Sequence, residues 1–498
     1  MIRLAADVFT GKSTWLSLAP GRHAPSPAPV VAVVNLPCSR VPLVYPGIGP
    51  RASRMSGVFM RFVARTGGAV AALSLGLAVV PAVPAHAAAV HVGCDVEELR
   101  DAIDTANGAG GGTIDLAPKC TYTLTDANTV GSNNGFPTIT TDITLKGGKH
   151  TVIERSTAPG TPLFRFFEVT GPSGELTLNR LTLRNGSINS FGGAVLVGSG
   201  ASLTVNSSKL TDNHGTFGGA IIVRDGADLA VSSSELTDNH GTQQGGAING
   251  QPGSTVSVTS SELEKNTASS AGGGITSLGT VTLTRTEVSK NTAGFGGGVA
   301  VSGPVTFSHS EVNGNTATDS TGGGGVYLTG TTGTFESTHV SRNKATGAGA
   351  DGGGILDAGS SIINLRSSWV SGNSATDVGG GILSHQELNA RRSTVQDNTA
   401  GIQGGGIWSG GTTRLDGTKL KGNRTTAAGS QGGGLFAGSG TATLIRSEVS
   451  RNRADGTGSD GGGIYEQPGS TVTIDRTKVA NNHPNHCAPP GAVTGCVN

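Results

Sequence analysis

Aromatic side chains are scarce in this chain. Trp, Tyr and Phe make up 4% of 498 residues, and Gly alone accounts for 82. Such a composition suits a thin coil of short strands better than a thick core of large side chains. Charge of one sign is lacking too. Lys and Arg number 35 against 34 Asp and Glu, and a net charge of +1 gives no reason to expect nucleic acid as a partner. Long apolar runs are absent except at 69–80 (AVAALSLGLAVV), which is too short to span a bilayer. No membrane span is expected in the mature chain. None of the close Cys-Cys or Cys-His spacings of a zinc site occurs.

The first 59 residues are Pro-rich and aperiodic, and read as a mis-started or disordered leader. From Met60, Arg61 and Arg65 form a basic region ahead of the apolar run, and Ala85-His86-Ala87 has the form of a cleavage site. Residues 60–87 therefore read as a secretory signal peptide, and the protein as secreted and extracellular. Val92-Gly93 before Cys94 does not make a lipoprotein site, because His91 stands where an aliphatic is needed. Residues 88–184 read as an N-terminal cap with irregular first turns, and 483–498 as a C-terminal tail.

What the chain has in abundance is a repeat over 185–482. Asn recurs at 185, 213, 239, 266, 291, 315, 343, 373, 398, 423, 452 and 482, at intervals of 24–30 residues. From Asn213 onward each follows a Leu or Val by three residues, and that aliphatic follows a Ser or Thr by two. Between successive asparagines comes a Gly-rich step ending in an aliphatic, as in GGAI (218–221), GGGI (272–275) and GGGL (432–435). A repeat of this length marks a solenoid, in which no unit buries its apolar face alone.

One unit, residues 272–291, holds three short strand-like stretches: Gly-Gly-Gly-Ile275, the alternating run around Val281 and Leu283, and Thr286-Glu287-Val288. Alternation implies one buried and one solvated face. The fold class expected is all-β: a right-handed parallel β-helix of about 12 regular turns. Two aliphatic columns should point inward, one from Ile221 to Ile464 and one from Leu210 to Val479. The Ser/Thr column (Ser208, Ser234, Ser261, Thr286, Ser310) should point inward near a corner. The Asn column should turn the next corner, its amide bonding backbone or the Asn one rung away. Glycines should allow the tight bends. Leu99–Asp104 reads as a short capping helix over the open end.

Four cysteines fall in the mature chain, and in principle they allow three pairings. Rungs stack at about 4.8 Å, so twelve separate the chain ends by roughly 50 Å. That leaves Cys94–Cys120 and Cys487–Cys496, in keeping with export.

The segment from Cys94 through Glu97-Glu98-Leu99-Arg100-Asp101-Ala102-Ile103, Ala106-Asn107, Gly112–Leu116 and Tyr122-Thr123-Leu124 resembles the CSLREA-type N-terminal segment of exported bacterial β-helix proteins. The repeated GGA[IV]/GGG[ILV] steps with Leu/Val-x-x-Asn are similar to polymorphic outer-membrane-protein repeats, where Phe-x-x-Asn is usual. The resemblance implies a pectin-lyase-like β-helix, secreted or surface-held. It implies no reaction.

Three groups of residues could carry chemistry. Glu235, Glu262, Glu287 and Glu311 precede the inward aliphatic on four successive turns. Stacked carboxylates repel and invite a counter-charge. Calcium is one candidate, with Lys265, Arg285 and Lys290 as the alternative source of positive charge. Trp408, Phe436 and Tyr465 follow the inward aliphatic of the Gly-rich strand on three consecutive turns, with Tyr327 earlier in the same column. An outward aromatic stripe could stack on sugar rings. His214 and His240, from a duplicated Thr-Asp-Asn-His-Gly-Thr, would lie side by side with Asp212 and Asp238 and could hold a transition metal. No cofactor is certain.

The reading is a secreted binding or surface-interaction protein, non-catalytic and monomeric, directed to polysaccharide or another cell-surface component. One alternative is a polysaccharide lyase or glycoside hydrolase, which needs carboxylates and a base converging in a walled groove. None of the Asn-Thr-Asp, Gly-His-Gly or Arg-Ile-Lys strings of polygalacturonase-like enzymes occurs. A second alternative is a structural or adhesive spacer.

Overall fold

The computed structural model describes residues 89–498, so the segments read as a leader (1–59) and a signal peptide (60–87) lie outside the described residues. Within the described part the chain winds into a parallel β-helix with four stacked sheets of 15, 14, 10 and 13 strands. We label them A, B, C and D in that order. One coil runs Ile275–Ser277 in sheet D, Thr280–Thr284 in A, Glu287–Ser289 in B and Thr292–Ala293 in C. The next coil enters sheet D at Val299–Val301. The sequence reading foresaw three strands per coil. The fourth follows the repeat Asn directly, and from Thr267–Ala268 onward it is only two residues long, too short to show alternation.

The expected inward columns are inside. Ile221, Ile275, Ile355 and Ile464 are fully buried, as are Leu210, Leu263, Val370 and Val449. Val281 and Leu283 complete the interior from sheet A, and neighbouring rungs stack like on like, as in Phe307 on Phe335 at 4.8 Å and 7°.

Two corners of each regular coil sit in the left-handed region, mostly on non-glycine residues such as Ser260 (φ 48°) and Lys265 (φ 55°), with glycine at a few, such as Gly314 and Gly417. That conformation costs about 1–2 kcal/mol per residue. In each case the next side chain turns inward and binds backbone. Ser261 Oγ accepts from Ser234 N at 3.1 Å and donates to Thr259 O at 2.7 Å. Asn291 Oδ1 accepts from both the backbone N (2.8 Å) and the Nδ2 (3.0 Å) of Asn266. Asn291 Nδ2 also donates to Leu263 O at 2.9 Å. This ladder continues to Asn482. Glycine is needed at the third corner. At Gly272 (φ 59°) a Cβ would sit 2.2 Å from Ile275 O.

Asn185 does not belong to the ladder. It occupies the left-handed position (φ 65°), in register with Asp212 rather than Asn213. Gly186 stands in the ladder position, and its N–H bonds Asn213 Oδ1 at 3.0 Å. Asn185 follows Leu183 by two residues instead of three, which is the visible sign of this offset.

The N-terminal helix runs Val96–Ala109, longer than the expected 99–104. Asp95 caps it by accepting from Glu98 N, and Gly110 (φ 86°) ends it. Leu99, Ile103 and Ala106 are buried over the first rungs. Both expected disulfides are present, Cys94–Cys120 and Cys487–Cys496. At the other end Cys487–Ala488 adds a last strand to sheet D, and Val493 is buried against the core. Among the described residues no helix is long and apolar enough to cross a membrane.

Candidate functional site

The first residue of each sheet B strand faces outward, and these residues form one column along the coil. Glu235, Glu262, Glu287 and Glu311 are register partners on successive rungs, as the spacing predicts. The counter-charges fall elsewhere than expected. Lys290 and Lys265 bond Glu264, at 2.5 and 3.4 Å, and Arg285 reaches Ser260. Lys209 pairs with Glu235 at 3.0 Å. Burial, and then Glu264, Glu287 and Glu235, raise the Glu262 carboxyl above its ordinary pKa. The hydrogen bond from Lys290 holds Glu264 below it.

The glutamates form a row rather than a nest. Among the described residues no three His, Cys, Asp or Glu side chains group as a cation would require. Beside the row, along the corner between sheets A and B, runs a depression of about 520 Å³ lined by Ser233, Ser260, Arg285 and the first three of these glutamates.

The same column continues past Glu311 to His339 and then Trp369. The two rings lie flat on one another, 4.5 Å apart at 11°. Trp369 is 39% exposed, one of the few large apolar side chains left open to solvent. Thr394 follows it in register and is too short to cover an indole. Sequence reasoning passed over both rings. Extending the glutamate column by two rungs would have found them.

The aromatic column of sheet D is continuous but not a free surface. Trp408, Phe436 and Tyr465 are register partners, with ring steps of 6.3 and 5.4 Å at 15° and 7°. They point away from the main core, as expected. Phe436, however, is 1% exposed, which removes it as a contact residue. The cover comes from the chain between sheets C and D, which makes a short excursion and folds back beside sheet D. Gln403 on one such excursion accepts from Trp408 Nε1 at 3.2 Å and bonds Gln431 on the next at 3.2 Å. Phe295 packs on Tyr327 at 4.8 Å in the same way. Leu356 and Leu383, both buried, fill the column between Tyr327 and Trp408. Trp408 and Tyr465 remain half-buried at the surface.

His214 and His240 are brought together, ring centroids 5.7 Å apart at 56°. Burial and the neighbouring His240 lower the His214 pKa. His240 Nδ1 lies 2.7 Å from Thr267 Oγ1, and Asp212 binds Thr211 Oγ1. His240 and Asp212 are thus each tied to a local hydroxyl.

No protein-family model and no curated protein sequence matches the chain. Among solved structures, a tailspike protein mutant of E. coli bacteriophage HK620 aligns over 76% of this chain and 71% of its own, with 14% identity and a TM-score of 0.35.

Proposed function

We propose that this is an exported, non-catalytic binding protein that holds an extended polysaccharide of a cell surface or envelope along its sheet B face. The observation that carries this reading is Trp369, exposed on an open, regular sheet face and stacked flat on His339. An exposed indole offers a large apolar plane at little entropic cost, which suits the faces of sugar rings. Serine hydroxyls along the corner between sheets A and B, such as Ser233 and Ser260, supply polar partners further along the same face. The binding reading is favoured over catalysis because the glutamates follow one another along a single row on the sheet. A glycosidase pair must face a bond from two sides.

A glycan array with the mature protein tests the reading, with Trp369→Ala as the paired variant. Retention of one or more glycans by the parent, and its loss in a variant with an unchanged melt, is the expected outcome. Release of new reducing ends or unsaturated uronate from any bound glycan would favour the enzyme reading instead. Export is proposed from residues 60–87 and the two disulfides. It predicts a secreted form beginning close to Ala88, which intact-mass measurement reads directly.

A further inference from the structure

Arg366 and Arg391 end two successive strands of sheet A, Ile362–Arg366 and Glu387–Arg391, and are register partners. Both are exposed. Like charges placed directly opposite one another destabilise a sheet. Yet neither guanidinium makes an ion pair or hydrogen bond with any described residue, although other arginines along this edge do. Asp416, one rung beyond Arg391, accepts its hydrogen bond from Arg446 at 2.6 Å and reaches Arg391 only through its charge. Glu336, one rung before Arg366, makes no such bond and shares a depression of about 450 Å³ with both arginines and with Asn364 and Asn389. Asn389 Nδ2 donates to Asn364 Oδ1 at 3.1 Å and to Glu387 Oε1 at 2.7 Å, while the Asn364 amide nitrogen makes no hydrogen bond with any described residue. The depression therefore offers donors in excess of acceptors.

Its position matters as much as its charge. Arg366 and Trp369 flank one corner, with only Ser367 (φ 49°) and the inward Ser368 between them. On the next rung Arg391 is followed by Arg392, itself at a left-handed corner (φ 50°), and then by Thr394. The uncovered side of the Trp369 indole thus faces a rung whose corner carries two further guanidinium groups. Rungs are about 4.8 Å apart, so an apolar plane and a fork of cations lie within reach of one ring-sized unit and its substituent.

We propose that this corner binds an acidic polysaccharide, with a sugar ring on Trp369 and its anionic substituent between Arg366 and Arg391. The inference rests on the glycan-binding reading and adds the ligand's charge. Guanidinium forks match carboxylate and sulfate groups with paired hydrogen bonds. The bound anion would also relieve the repulsion between the two arginines.

The test uses the full chain with three polymers: dextran sulfate, alginate and neutral dextran. Affinity electrophoresis or biolayer interferometry at two salt concentrations gives the affinities. Binding of dextran sulfate, alginate or both in preference to dextran is expected, and which of the two binds distinguishes sulfate from carboxylate. The double variant R366Q/R391Q should lose roughly tenfold or more in affinity and show a flatter salt dependence. A control of equal charge loss away from the outer column of sheet B, Arg342→Gln with Lys344→Gln, both exposed and Lys344 on sheet C, should lose markedly less. Equal losses in the two double variants would overturn the site in favour of diffuse attraction. Dextran bound as well as the anionic polymers, with R366Q/R391Q unaffected, would overturn the anionic assignment and leave the glycan reading standing. Failure of any glycan to bind, here or on the array, would remove both. Should the double variant misfold, R366Q alone decides, with a loss of several-fold expected.

Discussion

Asn266 and Asn291 are joined twice. The backbone N–H and the side-chain amide of Asn266 both donate to Oδ1 of Asn291, at 2.8 and 3.0 Å, while Asn291 Nδ2 reaches back to Leu263 O. Asn291 is fully buried, so none of these groups can turn to water instead. Replacing it with Ala should cost about 1–3 kcal/mol for the partners left unsatisfied. Thr282→Ala, on the solvated face of sheet A, should cost much less. Chemical denaturation of the two variants compares them directly, and equal shifts would contradict the assigned faces.

Glu262 and Glu264 should move stability in opposite directions with pH. Glu262 has a raised pKa, caused first by burial and then by its acidic neighbours. The folded state therefore favours its protonated form, and that contribution is lost as pH rises through the raised value. Glu262→Gln should melt above the parent at pH 7 by the equivalent of roughly 0.2–1 kcal/mol, a cross-strand charge effect. The advantage should vanish at about pH 3, below the ordinary Glu range. Glu264, held down chiefly by its hydrogen bond from Lys290, contributes stability above that range and loses it as pH falls. Glu264→Gln should melt below the parent at pH 7 and converge with it in acid. Melts of both variants at the two pH values give four numbers whose signs are all fixed in advance.

Phe436 should behave as a core residue although it points away from the main core. It is 1% exposed and lies between Trp408 and Tyr465. Phe436→Ala should cost about 3–5 kcal/mol. Trp369→Ala, at a site 39% exposed, should cost far less. A small loss at Phe436 would mean that its cover opens in solution, and would restore the column as a contact surface.

The two disulfides should differ in worth. Cys94–Cys120 spans 26 residues and Cys487–Cys496 spans 9. Loop-closure entropy then predicts losses of about 3.5 and about 2.6 kcal/mol when each pair is replaced by Ser. Thermal melts of the two double variants should rank in that order. The reverse order would show that docking of the C-terminal tail matters more than chain entropy.

The solenoid was legible because a repeat states every column many times over. One ambiguous Leu says little, but Leu210, Leu236 and Leu263 in the same frame, followed three residues later by Asn, leave few alternatives. Irregular places were harder. Asn185 kept the residue type but slipped by one position, and residue type was the louder signal. The strand Thr267–Ala268 was too short to carry a period. The cover over Phe436 depends on how residues near Gln403 and Gln431 fold back, which no pattern in those residues announces. Trp369 was missed because its column changes chemistry along the axis, from carboxylate to imidazole to indole. Following a position rather than a residue type would have led to it.

The asparagine ladder also sets the increments in which the protein can change length. Each coil presents an Oδ1 acceptor toward the coil before it and a pair of N–H donors toward the coil after it. Every rung boundary in the ladder is therefore the same joint. Removing a stretch that starts just after one ladder Asn and ends on the next, such as 267–291, would bring together two ends with matching valence. Removing a stretch that takes a ladder Asn without bringing the next into its place would leave N–H donors without their acceptor in a dry corner. In this fold the number of coils is a counted quantity: whole coils can be gained or lost by duplication and deletion, while the excursions between sheets C and D absorb the spread of 24–30 residues from coil to coil.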